Sequence, residues 1–473
     1  MSKLRKPILP RQPKGQPAQP KPPKLDALAQ INHHAAGLDI GDAEIYAAVP
    51  ESASDPAVRV FGTFTTDLQA LADWLAACQV DTVAMESTGV YWVPIYELLE
   101  ARGFQVYLVN ARQLKNVSGK KTDILDCQWI QQLHTYGLLQ PSFRPPEDIC
   151  ALRAVIRHRG NLLRSCTAEI QHMQKALQQM NLKLTNVLSD ITGLTGLAII
   201  RDIVAGERDP HKLATHRDPH CHKSEEEIAA SLTGNYKAEH LFVLKQALAA
   251  HDFYQEQLAA CDAETARMYR DLDAQVDHVA QPLPPPRRRH SRRGNEPRFD
   301  LRTELYRMAG VDLTTVDGLD VLTVQAVLTE TGVDMTPWRT SKHFASWLSL
   351  CPENAKTGGK IIKRGTRPGA NRAALALRLA ARSLHHSDSA LGAFYRRMCS
   401  KLGKPQAVTA TAHKPCPELR RRMARIIYAM LKSKTPYKDP GTDHLAAQVQ
   451  ERKVKQLQRQ AKELGYELTP SAA

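Results

Sequence analysis

The sequence predicts two kinds of fold in one chain: an α/β domain over residues 35–148, followed by an all-α remainder. Three observations carry this. Between 35 and 148, short β-rich apolar runs alternate with runs at helical spacing, as in a sheet with helices packed on it. From 149 to 277 no clear strand appears, and apolar residues recur at helical spacing. Basic, proline-rich stretches interrupt a chain of 473 residues that is 42% apolar, enough for several cores but not for uniform packing.

Taken in order, residues 1–34 read as a basic arm. Positions 1–25 hold seven Lys/Arg, seven Pro and no acid, a composition that cannot bury a core. The strand candidates of the α/β domain are GLDI, IYAAV, VRVFGTF, TVAMES and FQVYLVN. Its helix candidates are DLQALADWLAAC, WVPIYELLEARG and a segment opening at Lys121–Thr122. In 149–277, Leu152, Val155, Leu162, Leu163, Ile170, Met173, Leu177, Met180 and Leu184 trace one stripe. Leu241, Leu244, Leu248, Leu258, Cys261, Met268 and Leu272 trace a second, interrupted by Thr265. Both predict long antiparallel or coiled-coil helices, a spacer or dimerisation element. Residues 278–302 read as a Pro/Arg-rich linker, within which 282–293 (PLPPPRRRHSRR) are expected to be exposed. The segment 303–437 reads as a mostly helical domain. Within it, Gly318 in TVDGLDVLTVQAVLTETG suits a helix-hairpin-helix turn that aims backbone N–H groups at a phosphate. A charged helix or tail fills 438–473.

Charge narrows the partner. With 64 Lys+Arg against 49 Asp+Glu the formal charge is 64 − 49 = +15, which suits a polyanion. From Asn354 to Ser387 there is no acid, while Lys356, Lys360, Lys363, Arg364, Arg367, Arg372, Arg378 and Arg382 are basic. Such a run repels itself unless it faces phosphates. Nine scattered cysteines without a C-x-x-C pair predict reduced thiols and no disulfide framework. No stretch nears the ~18 apolar residues of a membrane span, and the first residues lack a signal-peptide core, so a soluble, intracellular protein is expected.

Four acids stand out by placement. Asp39 interrupts the apolar run GLDIG, and Glu86 ends TVAMES. Asp123 and Asp126 lie 126 − 123 = 3 residues apart, on one face of a helix. Acids within apolar runs are costly to bury without a metal or cation partner. Carboxylates converging on two Mg²⁺ ions roughly 3.5–4 Å apart are a recurrent device for phosphodiester chemistry, and Mg²⁺ favours such all-oxygen ligands. Asp42, beside Gly41, reads as a hairpin-turn residue.

The motifs GLDIG, MESTGVYW, KKTDILDCQWIQQLHTYGLL with its trailing PSFRPP, and the block FASWLSLCPENAKTGGK…KRG…NRAALALRLAA resemble the insertion sequence 110 family. These are DEDD transposases of bacterial mobile elements, also called bridge-RNA-guided recombinases. The resemblance runs from about residue 35 to about residue 432. It implies a RuvC-like, ribonuclease-H-type N-terminal domain with Asp39, Glu86, Asp123 and Asp126 as the metal set, holding Mg²⁺ or, in substitution, Mn²⁺. It further implies a coiled-coil region for homodimer or homotetramer assembly, and a C-terminal transposase domain whose serine attacks DNA to form a transient covalent link. Donor and target DNA would pair with an element-encoded non-coding RNA, in a bacterial cytoplasm close to the nucleoid. The family's serine precedes Gly-Gly-Lys, a position that Thr357 occupies here. Three readings stay open: a threonine nucleophile, a weakened or inactive enzyme, or a neighbouring hydroxyl such as Ser346 or Ser349. Thr357 is the expected nucleophile, and Lys356, Lys360, Lys363, Arg364, Arg367, Arg372 and Arg378 are the expected nucleic-acid contacts.

Rival readings are a junction-resolving nuclease that uses water, and a decayed transposase that only binds nucleic acid. An actin-like sugar kinase lacks its second phosphate motif here. His211, His216, His220, Cys221 and His222 crowd one loop, but no cysteine pair precedes them, so zinc is not expected. Cys351 reads as a core residue, and Tyr91 with Trp92 as an apolar cap on the sheet.

Overall fold

The computed structural model describes residues 28–87, 89–110, 114, 123–277, 279–286, 294–351, 355–358, 360–363, 371–413, 423–467 and 469. They fall into two compact units, one up to Arg144 and one from Pro145 onward. The basic arm through residue 27, Lys121–Thr122 and the arginine run 287–293 lie outside the described residues.

The first unit is built on a five-stranded sheet in the order β3-β2-β1-β4-β5. The strands are β1 (Ala35–Ile40), β2 (Glu44–Ala48), β3 (Val58–Gly62), β4 (Thr82–Glu86) and β5 (Gln105–Val109), matching the five apolar runs. β1 to β3 form an antiparallel meander, closed at its first turn by the Gly41 N–H donating to Glu44 O at 2.9 Å. β4 and β5 add in parallel, each entered through a helix: α1 (Thr65–Ala77) and α2 (Trp92–Ala101). These helices pack on one face, where Ala36, Leu38, Ile40, Val83 and Met85 meet Leu71, Leu75, Ile95 and Leu99 in a shared core. The opposite face carries α3 (Asp123–Thr135), whose Ile130 and Leu133 bury Ala84 and Val109. Alternation of side chains along a strand gives both cores from the same strands, successive residues facing opposite sides. At the end of the unit, Arg144 bridges Glu97 and Glu100 and lies over the Tyr96 ring.

In the second unit, two long helices run antiparallel: α4 (Glu147–Gln179, 33 residues) and, after four short helices, α9 (Ala238–Asp271, 34 residues). Arg159 meets Asp262 and Cys166 meets Gln255, so position rises on one helix as it falls on the other. The short helices α5 (Leu184–Val187), α6 (Leu194–Ala205), α7 (Pro210–Ala214) and α8 (Glu225–Ser231) cap one end of the pair over Met173, Leu177, Leu244 and Leu248. Residues 294–298 are tied to the long helices. Arg159 Nη1 donates to Asn295 O at 2.9 Å, and the Arg298 N–H donates to Asp262 Oδ2 at 3.0 Å.

The remainder is helical: α10 (Leu301–Ala309), α11 (Val321–Thr331), α12 (Ser341–Trp347), α13 (Arg372–Ser383), α14 (Ala390–Leu402), α15 (Lys404–His413), α16 (Met423–Ser433) and α17 (Gly441–Glu463). One hairpin interrupts it, β6 (Ala355–Thr357) with β7 (Lys360–Lys363). Among the described residues no helix is long and apolar enough to cross a membrane. The eight described cysteines are free thiols, and Cys416 lies outside the described residues.

Candidate active site

The position of α3 against the sheet decides where the acids meet. Near its C-terminal end, His134 Nε2 lies 2.8 Å from Thr82 Oγ1 at the start of β4, and Gln131 Nε2 donates to Ala35 O at 3.3 Å. One turn earlier, Gly37 packs so tightly that a Cβ there would lie 2.4 Å from Cys127 O. Continuing toward its N-terminus, the helix carries Asp126 and Asp123 to the C-terminal ends of β1 and β4. Asp39 lies two residues beyond Gly37 and so shares its face. Glu86 lies two residues beyond Ala84, on the same face of the parallel neighbour strand. All four acids are therefore at one end of the sheet, on the α3 side.

The electrostatics agree with this placement. Burial pushes the Cys127 thiol up to about 12, helped by the charge of Asp39 and more weakly by that of Asp126. Tyr46, which pairs with Asp39 across the sheet, donates to Glu44 Oε2 at 3.0 Å. That bond and the Glu44 charge hold its phenol above the usual value, with smaller contributions from burial, Asp123 and Asp39. Among the described residues no three His, Cys, Asp or Glu side chains form a group that could hold a metal ion. The acids thus share an end and a face without forming a closed cage. An all-carboxylate donor set nevertheless has the chemistry of a hard-cation site.

Thr357 belongs to the second unit. It is exposed at the tip of the β6–β7 hairpin, paired with Lys360. Gly358 follows with φ +53°, a left-handed conformation that glycine adopts without strain. Lys356, Lys360 and Lys363 lie on the two strands; Gly359, Arg364 and Arg367 lie outside the described residues. Arg372 is exposed and Arg378 half-buried on α13, whose first turn is capped by Asn371 accepting from Ala374 N–H at 3.1 Å.

The other candidates sit as follows. A Cβ on Gly318 would lie 2.9 Å from Ala380 O, so α13 packs closely against this turn. The loop histidines take separate carboxylates, His216 that of Asp202 and His220 that of Asp218. Cys351 is half-buried, short of the full burial expected. Trp92 packs on the core edge-on to Tyr96, but Tyr91 is 48% exposed, so the expected apolar cap is formed by one aromatic of the pair. Sequence reading also passed over Val90 and Ile124, exposed apolar residues close to the acids, because neither belongs to a periodic pattern.

Two family models match the chain. One, described as "Transposase" and built on the DEDD enzymes of IS110 elements, covers residues 36–182. The other, described as "Transposase IS116/IS110/IS902 family", covers residues 311–396. The chain belongs to the insertion sequence 110 family of transposases. No curated protein matches it. The first match holds all four acids, and the second holds Thr357 and the basic block. Membership makes this a DNA-modifying enzyme with DNA substrates, in a family associated with divalent metal.

Proposed function

We propose that this transposase cleaves and exchanges DNA strands through a covalent protein–DNA link, directed by a non-coding RNA of its own element. The placement of Asp39, Glu86, Asp123 and Asp126 at one end and on one face of the sheet supports this reading more than any other observation. Two parallel strands added to an antiparallel meander favour a RuvC-like, ribonuclease-H-type fold. The four carboxylates would hold Mg²⁺, or Mn²⁺ in its place, which supplies charge neutralisation at the scissile phosphate and lowers the pKa of an attacking hydroxyl. Thr357 Oγ1 attacks phosphorus and loses its proton, while the P–O3′ bond breaks and the departing oxygen takes a proton as a 3′ hydroxyl. A 3′ hydroxyl from the other strand then attacks the phosphothreonine ester, restoring both the backbone and the threonine. Lys356, Lys360, Lys363, Arg364, Arg367, Arg372 and Arg378 grip the backbone around this step. The paired helices α4 and α9 serve assembly into a homodimer or homotetramer.

The test uses the full chain, the RNA that copurifies with it, a matched DNA duplex and Mg²⁺. Peptide mapping of the trapped adduct should find the 5′ phosphate on Thr357, with no adduct in Thr357→Ala and one restored in Thr357→Ser. An adduct elsewhere, or full cutting by Thr357→Ala, would overturn the threonine assignment. The second result would favour a junction-resolving nuclease that uses water.

A further inference from the structure

Three large apolar side chains are exposed at the end of the sheet where the acids gather: Val90 at 72%, Tyr91 at 48% and Ile124 at 41%. Ile124 lies between Asp123 and Asp126 in the first turn of α3. Val90 and Tyr91 follow β4 and lead into α2, only 90 − 86 = 4 and 91 − 86 = 5 residues beyond Glu86. Ser87 is still fastened to the sheet, its N–H donating to Val109 O at 3.0 Å, so the chain has little length in which to leave this end. Tyr91 also has a seat. Gly89 turns with φ +60°, and a Cβ there would touch the Tyr91 ring edge at 3.4 and 3.5 Å.

Phosphate chemistry has no use for these side chains. Carboxylates with a cation handle the backbone, whereas an exposed aromatic beside them suits the flat, apolar part of the same polyanion, the base. Trp92 supplies the contrast: the adjacent aromatic is committed to the core, leaving Tyr91 uncommitted. A net charge of +15 and membership of a DNA-modifying family favour nucleic acid over a protein or lipid occupant.

We propose that Tyr91, flanked by Val90 and Ile124, is a stacking platform for an unpaired nucleobase adjoining the scissile phosphate. It is a positioning element: stacking fixes the strand so that the scissile phosphate is presented to the acids. This inference rests on the strand-exchange reading for its location, and its test separates the two. The full chain is mixed with a single-stranded oligodeoxynucleotide carrying 2-aminopurine among thymines, in Ca²⁺ to prevent turnover. Wild-type protein should quench the fluorophore. Tyr91→Ala should lose the quench and bind roughly tenfold more weakly, while Tyr91→Phe and Tyr91→Trp keep both. Unchanged melting of the alanine variant guards against misfolding. Quench and affinity in Tyr91→Ala equal to wild type would overturn the platform, whatever the protein does to DNA. A Tyr91-dependent quench in a protein that exchanges no strands in Mg²⁺ would uphold the platform and overturn the strand-exchange reading alone.

Discussion

Gly37 couples packing to chemistry at a single atom. A Cβ there would lie 2.3 Å from Gln131 N, which is backbone and cannot swing aside. Gly37→Ala must therefore push α3 off β1, an overpacking cost of about 1–3 kcal/mol. The same shift moves Asp123 and Asp126 away from Asp39, so urea unfolding should show the stability loss and Mg²⁺-dependent strand cleavage should fall with it. A variant that keeps both would show that the helix does not set the site. On the same helix, His134 carries a pH dependence. Thr82 Oγ1 donates to Gln105 O, so His134 Nε2 must donate to Thr82, which leaves buried Nδ1 without a hydrogen-bond partner. Burial lowers the imidazole from 6.5 to about 4, opposed by the Asp81 charge. The unfolded chain takes up this proton first, so stability falls as pH drops from 6.5 toward 4 and levels off below that. At 1.36 kcal/mol per unit the loss approaches about 3 kcal/mol. Urea midpoints at pH 7 and pH 4.5 should converge less in wild type than in His134→Gln; equal shifts would exclude this histidine as the cause.

Elements show what the sequence made legible and what it withheld. Strand alternation was readable, and the five apolar runs became the five strands. Placing Asp39 and Glu86 at the ends of neighbouring strands needed only their position in those runs. What closes the site did not show: the contact of Gly37 with Cys127 joins residues 90 apart, a separation no local pattern encodes. Tyr91 and Trp92 looked equivalent as neighbours. Successive positions at the start of a helix point about 100° apart, so one reached the core and the other did not. The contacts that hold residues 294–298 were equally unreadable, because the groups that make them, Arg159 and Asp262, are distant in sequence. This pair deserves its own test, since both side chains are buried between α4 and α9, Arg159 Nε lying 2.5 Å from Asp262 Oδ1. Asp262→Ala strands a buried guanidinium and should cost about 3–5 kcal/mol, whereas replacing both residues by methionine and leucine should come closer to neutral. Comparable losses in the single and double variants would mean that the site depends on packing and not on charge.

For the whole molecule, the excess charge should be separable into tethering and chemistry by salt. Binding of double-stranded DNA weakens with a log–log slope of about −0.9 per phosphate contact neutralised. Residues 1–25 hold seven Lys/Arg on a proline-rich stretch, outside both family matches. Deleting them should lower the magnitude of the slope by at most about 6 and weaken binding to every sequence alike. Once DNA is saturating, the rate of adduct formation should be unchanged. Arg372→Ala and Arg378→Ala act from the block around Thr357, whose charge the proposed function assigns to the scissile backbone. Each should reduce the slope by about 1 and also slow adduct formation at saturating DNA. Measured against salt, then, arm and block should look alike except in number. Measured against rate at saturation they should separate, and an arm deletion that slowed the chemistry would place part of the arm in the active site.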